Sequence, residues 1–193
     1  MDAVQVVKKN EPLQDIDLNL IMRFLAEGET TFISDSVKYV TLTNNDYDEI
    51  IRLLSDLVAK KDANVIENAV AWDLETNTLR PEYSGSKILT FSFSDDHAVG
   101  YTLPVDHPEQ PWTEEQRNTI MDYIFQFIRS DIYKVGANIQ FDMKYTKMKS
   151  PEYLLCKNNL DVQAGFYIAV SQDSEATKSL KTLVYYYTDM GGY

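Results

Sequence analysis

Apolar and polar residues alternate with period two over three successive stretches of the chain, and that alternation predicts the centre of a sheet. Ala69-Val70-Ala71-Trp72-Asp73-Leu74-Glu75-Thr76 reads as a buried strand, a β-branched and aromatic run that ends in carboxylates. After Pro81 and Gly85, Lys87 to Ser94 alternates so that Leu89, Phe91 and Phe93 share one face. Asp95-Asp96 makes a turn, and Ala98 to Val105 returns as a third strand. Residues 70–105 are therefore expected to form an antiparallel meander.

The flanking segments carry the longer, helical period. Val37 to Leu42 reads as a strand, followed by a helix capped by Asn44 or Asn45, with Ile50, Ile51, Leu54, Leu57 and Val58 at helical spacing. It ends near Lys60-Lys61-Asp62. Thr113, with Gln116 three residues on, forms a capping box for a helix whose Ile120, Ile124, Phe127 and Ile128 face the core. Tyr133 to Ala137 is a short strand between helices, the sequence form of a parallel βαβ crossover. Helices are expected over Phe141 to Met148, Leu160 to Val170 and Lys178 to Tyr187, the last closed by Gly191-Gly192. The order β-α-β-β-β-α-β-α-α-α describes an α/β three-layer domain with a mixed sheet, occupying residues 35–193. Residues 1–34, with one short helix over Asp17 to Ala26, read as an N-terminal extension or docking arm.

Composition narrows the function classes. The chain has 193 residues, 44% of them hydrophobic and 25% charged, and a formal net charge of -12. Such a balance argues against a free-standing protein that grips a duplex through its phosphates. It leaves open a site where acids bind phosphate through metal ions. No apolar run reaches membrane-spanning length, and the first thirty residues lack a signal peptide's basic start and apolar core. The single cysteine, Cys156, forbids an internal disulfide, so a cytoplasmic protein is expected. Cys156 itself reads as a small buried hydrophobe.

Two stretches hold the chemistry. Asp73 and Glu75 lie two apart on a strand and so point to one face, where two repelling carboxylates suit a hard cation such as magnesium or manganese. The plainer alternative is an edge strand with solvated acids. In Val135-Gly136-Ala137-Asn138-Ile139-Gln140-Phe141-Asp142, Asn138 and Asp142 are four apart. On a helix starting there they would share a face at the carboxyl end of the strand, where open α/β sheets bind ligands. Here the plainer alternative is a helix start capped by Asn138 with Asp142 solvated.

Together, Trp72-Asp73-Leu74-Glu75-Thr76 and Asn138-x-x-x-Phe141-Asp142 resemble the first two exonuclease motifs of the 3′–5′ proofreading domain of family A DNA polymerases, within the DEDD (DnaQ-like, ribonuclease H-like) superfamily. The likeness covers about residues 37–189. It extends to Lys87-Ile-Leu-Thr-Phe-Ser-Phe-Ser, Gly100-Tyr-Thr-Leu-Pro-Val, Asn159-Leu160-Asp161 and Ser179-Leu180-Lys181-Thr182-Leu183, and the tail Tyr187 to Tyr193 resembles phage-encoded members. The resemblance implies a ribonuclease H-like fold and two-metal hydrolysis, with two Mg2+ or Mn2+ ions bound by the catalytic Asp73, Glu75 and Asp142. It implies that Thr76 and Leu79 contact and wedge the terminal nucleotide, and that Asn138 and Phe141 pack and orient it. Asp161 would stand behind the ligands or cap a helix.

The family's third motif is His-x4-Asp or Tyr-x3-Asp. His97 and His107 both precede Asp142 and neither has an aspartate five residues on. Tyr185-Tyr-Tyr-Thr-Asp189 matches the second form but lies on the Ser179 helix, where Tyr185 reads as core. The domain is thus expected to be C-terminally incomplete. Three functions follow: an exonuclease acting on the 3′ end of single-stranded DNA, an incomplete module that binds the polymerase domain or chain of a split enzyme, or an RNA-directed exonuclease of the same fold.

Overall fold

The structure is a computed structural model, and it describes residues 38–42, 46–60, 68–96, 99–150, 156–169 and 179–187. In chain order the elements are β1 (Lys38–Thr41), α1 (Tyr47–Ala59), β2 (Val70–Thr76), β3 (Ile88–Asp96), β4 (Val99–Pro104), α2 (Glu114–Arg129), β5 (Lys134–Gly136), α3 (Gln140–Lys149), β6 (Asn159–Asp161), α4 (Val162–Ala169) and α5 (Leu180–Tyr187). The six strands form one sheet in the order β1-β4-β3-β2-β5-β6. β2, β3 and β4 pair antiparallel, as the alternating pattern requires, whereas β1 joins β4, β5 joins β2 and β6 joins β5 in parallel. This is the mixed α/β sheet expected from the sequence.

β2 lies between β3 and β5, so it is an inner strand and its acids do not sit on an edge. Directly opposed residues of an antiparallel pair face the same way, and Trp72 opposes Phe93 while Leu74 opposes Phe91. That face is dry. Trp72, Leu74, Phe91 and Phe93 are all buried, and Phe127 of α2 closes over them with its ring centroid 6.3 Å from Trp72 and 6.0 Å from Phe91. The Thr113–Gln116 capping box starts α2 as its sequence predicts, and Ile120, Ile124, Phe127 and Ile128 are fully buried. Ile50, Leu54 and Leu57 of α1 are also buried and join the same core.

Lys134, at the start of β5, is wholly buried. Its ammonium donates to the carbonyls of Ser130, Ile132 and Lys157 at 2.9, 2.8 and 3.3 Å and lies 5.2 Å from the Phe127 ring centroid. Burial lowers its pKa to about 8. The side chain thus ties the end of α2 to both β5 and the approach to β6, satisfying carbonyls that the turn leaves without partners.

The helix expected over 160–170 begins two residues later. Asn159, Leu160 and Asp161 instead pair with Lys134, Val135 and Gly136 as β6, and α4 follows from Val162. Three residues with a half-exposed central leucine carry no readable period, and the backbone ladder decides their state. α5 starts at Leu180, two residues after the expected Lys178, with the Ser179 hydroxyl accepting the Thr182 N–H at 3.2 Å. The expected helix over Asp17 to Ala26, the caps Asn44 or Asn45 and the Gly191-Gly192 stop lie outside the described residues; the N-cap position of α1 is taken by Asp46. Residues 38–165 form one compact unit, and the described residues from 166 onward belong to another. Among the described residues no helix is long and apolar enough to cross a membrane.

Phe127 is central to this core, so Phe127→Ala is expected to cost about 3–5 kcal/mol, as large-to-small changes of buried aromatics do. Urea unfolding followed by circular dichroism measures it; a loss under 1 kcal/mol would mean that the ring does not hold α2 on the sheet.

Candidate active site

The site grows from β2. Asp73 opposes Ser92 and Glu75 opposes Thr90, which puts both acids on the face away from Trp72 and Leu74. The ladder with β3 slips after Glu75, so Thr76 pairs with Ile88, and the Thr76 hydroxyl donates to the Thr78 carbonyl at 2.9 Å. The chain then turns out at the carboxyl end of the sheet, with Leu79 82% exposed.

The second component comes from the crossover between β5 and α3. Gly136 packs closely there: a Cβ at this position would stand 3.2 Å from the Trp72 carbonyl oxygen and the Ile139 side chain. Asn138 then adopts the left-handed conformation at φ 55°, which asparagine tolerates better than most residues. α3 starts only at Gln140, with Ile139 in the N-cap position. Asn138 and Asp142 therefore do not share a helical face as expected; Asn138 is an exposed turn residue, and Asp142 stands in the first helical turn.

Nor is Asp142 solvated. It is 4% exposed, and its Oδ1 accepts the Leu74 N–H at 3.1 Å. The reason lies in the brevity of β5. Its ladder with β2 stops at Ala71 opposite Val135, so further along that edge Leu74 has no strand partner and the carboxylate takes the strand's place. Phe141, beside Asp142, is half-buried with its ring centroid 5.1 Å from that of Tyr145. The buried Tyr145 hydroxyl donates to the Thr78 carbonyl, tying α3 to the turn that follows β2.

Electrostatics link the three acids. Burial, and then the charge of Asp73, push the Asp142 carboxyl up to about 7, with a smaller contribution from Glu75 and the Leu74 N–H pulling the other way. Asp73 is also raised, by burial first and by Glu75 second. Asp73 and Asp142, whose ionisation burial and neighbouring charge oppose, make with Glu75 an all-oxygen donor set for a hard divalent cation, whose charge would remove the conflict. In donor chemistry they fit such an ion. Among the described residues, however, no three His, Cys, Asp or Glu side chains are gathered into a closed cage, so binding would require the acids to draw together.

Asp161 does not contribute a free carboxylate. Its Oδ1 accepts the N–H groups of Gln163 at 2.9 Å and Ala164 at 3.4 Å, capping α4, and that of Asn138 at 3.2 Å, while its Oδ2 accepts Ile139 N–H at 3.1 Å. It fastens the left-handed turn to β6 and so fixes where α3 begins. The helix-cap reading of Asp161 holds, whereas its clamp on Asn138 and Ile139 and the role of Tyr145 were not read from sequence. The four-residue step from Phe141 to Tyr145 was a signal for that role; nothing local joins Asp161 to Asn138. Asp189 lies outside the described residues.

The fold is an α/β fold built on a mixed six-stranded sheet, with acids on its carboxyl rim. A family model described as 3′–5′ exonuclease, of the DNA polymerase A type, matches residues 40–191, and the chain belongs to that family. The chain matches no curated protein. Among solved structures it is similar to Brucella melitensis NrnC with bound Mg2+, at 13% identity and a TM-score of 0.48, covering 79% of this chain and 61% of that one. It is similar to Trypanosoma brucei RNase D in complex with RNA U12, at 12% identity and a TM-score of 0.47, covering 67% and 39%. A third is the EXD2 exonuclease domain soaked in Mg and dGMP, at 17% identity and a TM-score of 0.40, covering 78% and 69%. The chain spans less than two thirds of the length of the first two.

A carboxyl whose pKa is raised by folding favours the fold while protonated. The contribution of Asp142 is present below its ordinary pKa of about 4 and is lost as pH rises through about 7. In metal-free buffer at pH 8, Asp142→Asn keeps an acceptor for Leu74 and removes the buried charge. Its Tm should exceed that of the wild type by a few degrees, the shift that about 1 kcal/mol gives in a chain of this size, and the gap should close near pH 4. A wild-type Tm at pH 8 equal to or above that of the variant would contradict this electrostatic reading.

Proposed function

We propose that the chain is a 3′–5′ proofreading exonuclease domain of a phage-type DNA polymerase, hydrolysing the terminal phosphodiester of single-stranded or frayed DNA. The observation that carries this reading is the seating of Asp142 on the Leu74 N–H, which brings the acid of α3 beside Asp73 and Glu75 of β2. Residues 35–193 are the exonuclease domain in this reading, and 1–34 an extension from it.

Asp73, Glu75 and Asp142 would hold two Mg2+ or Mn2+ ions, which when bound supply an activated water and neutralise the leaving 3′ oxygen. The chain's own residues do the rest. Leu79 stands out at the rim and wedges the terminal base from its neighbour, favouring unpaired ends over intact duplex. Phe141, fixed against Tyr145, packs the sugar and base, and Asn138 and Thr76 orient the nucleotide from the two strand ends. Tyr145 holds α3 against the Thr78 turn, keeping these groups in register.

A second reading rests on the donor count. The described residues offer three rim carboxylates with Asp161 already committed to backbone N–H groups, and this favours a module completed by a polymerase chain carrying a Tyr-x3-Asp motif. A site made of these three carboxylates alone should hydrolyse slowly, and faster with manganese than with magnesium.

A 5′-labelled single strand incubated with manganese should shorten from its 3′ end, and Asp73→Ala should lower the rate at least about 100-fold. Matched RNA, degraded more slowly, separates the DNA reading from an RNA-directed one. Wild-type protein that leaves both strands intact, alone and with a complementing polymerase chain, would overturn the exonuclease reading.

A further inference from the structure

The segment that leaves the site, residues 77–87, is a loop with unusual internal order. Both ends are clamped by one side chain: Asn77 Nδ2 donates to the Gly85 carbonyl at 2.9 Å, and its Oδ1 accepts the Lys87 N–H at 2.7 Å. Inside, the Ser86 hydroxyl donates to the Pro81 carbonyl at 2.8 Å, Ser86 N–H to the Tyr83 carbonyl at 3.0 Å and Tyr83 N–H to the Arg80 carbonyl at 3.1 Å. Pro81 and Ser86 are buried beneath it, and Tyr145 holds its Thr78 carbonyl from α3. Among the charged and polar side chains on the outer surface of this braced loop stand two large apolar ones. Leu79 is 82% exposed and Tyr83 is 60% exposed.

A single exposed apolar side chain is ordinary and calls for no explanation. Here the Tyr83 ring is set in place: it lies over Gly85 so closely that a Cβ there would stand 2.8 Å from its Cε1. Glycine leaves the ring room to lie down, with its other side turned to solvent. The charge around it runs against the chain. In a protein of net charge -12, the loop and the helix tied to it carry Arg80, Lys87, Lys144, Lys147 and Lys149 against Glu82 and Asp142. A fixed aromatic face beside cations is how proteins hold single-stranded nucleic acid, through base stacking and phosphate contacts.

We infer that the 77–87 loop is a platform for the strand leading into the site, on which Tyr83 stacks a base upstream of the nucleotide being removed and Arg80 meets the adjoining phosphate. The inference rests on the exonuclease reading above and deepens it: the occupant is a single strand several nucleotides long, held next to the acids of β2. Stacking on a prearranged ring adds affinity for a long strand that a dinucleotide, confined to the acid rim, does not receive.

The test is the affinity of fluorescein-labelled decathymidylate and dithymidylate, read by anisotropy in Ca2+ to hold hydrolysis off, beside Mn2+-supported degradation of the decamer. Wild type should prefer the decamer, and Tyr83→Ala should reduce that preference about tenfold, the order of one base–aromatic stack. Tyr83→Phe should retain it. Gly85→Ala, which pushes the ring aside without removing it, should lose preference as Tyr83→Ala does. Tyr83 is exposed, so its variants should keep the wild-type Tm. A wild type that shortens the decamer while Tyr83→Ala keeps the full preference overturns the platform and leaves the exonuclease reading standing. A wild type that neither binds nor shortens any strand overturns the platform, and the same result with a complementing polymerase chain present overturns the exonuclease reading as well.

Discussion

The hydrogen bond from Leu74 N–H to Asp142 is the constraint on which the site depends. β5 pairs with β2 over only Ala71 and Val70, so the rest of that edge of β2 needs a substitute acceptor. A buried backbone N–H without a partner is costly, and α3 supplies one from its first turn. The geometry of the crossover follows. The close approach at Gly136, the left-handed Asn138 and the Asp161 clamp all serve to begin α3 at the one place from which Asp142 reaches β2. A longer β5 would complete the ladder and remove the reason for the carboxylate to be there.

That placement works against stability, since it buries an acid next to two others. The cost is borne by the opposite face of the same strand. Trp72 and Leu74 alternate with Asp73 and Glu75, so each acid held at the rim is flanked by a side chain sealed in the core with Phe91, Phe93 and Phe127. Dispersion and apolar burial on one face thus oppose charge repulsion on the other, along seven residues of chain. A divalent ion would shift the balance by answering the repulsion, leaving the core with less to offset.

Much of this was legible in the sequence, and what was not has physical reasons. The meander of β2, β3 and β4 and the capped α2 follow from period and capping chemistry, which act over a few residues. β6 escaped because three residues with a half-exposed Leu160 have no pattern of their own; their state is set by pairing with β5, more than twenty residues away in sequence. Asn138 and Asp142 at a four-residue spacing suggested a shared helical face, but a positive φ breaks that spacing, and asparagine permits that conformation without requiring it. Lys134 lies in the short strand read over Tyr133 to Ala137, and nothing in that pattern shows the three carbonyls gathered around its ammonium. The acids at 73, 75 and 142 stood out in the sequence; the raised carboxyls of Asp73 and Asp142 did not, because burial is a property of the assembled core.

The charge of the whole chain is a poor guide to what its site can hold. Exposed charges farther apart than about 8–10 Å scarcely feel one another at physiological salt, so a phosphate entering the rim responds to its neighbourhood. There the balance has two parts with opposite sign. The three acids repel a polyanion, the more so when all are ionised, and Asp142 keeps a share of its proton at neutral pH. The Arg80 and Lys87 loop and the lysines of α3 attract it one step away. On the proposed exonuclease reading, a strand would be drawn to the rim by its upstream phosphates, while its terminal phosphate would meet carboxylates that accept it only with divalent cations between them. Attraction and chemistry sit on adjacent segments joined by Tyr145, so a strand can be gripped without its scissile bond being the point of grip.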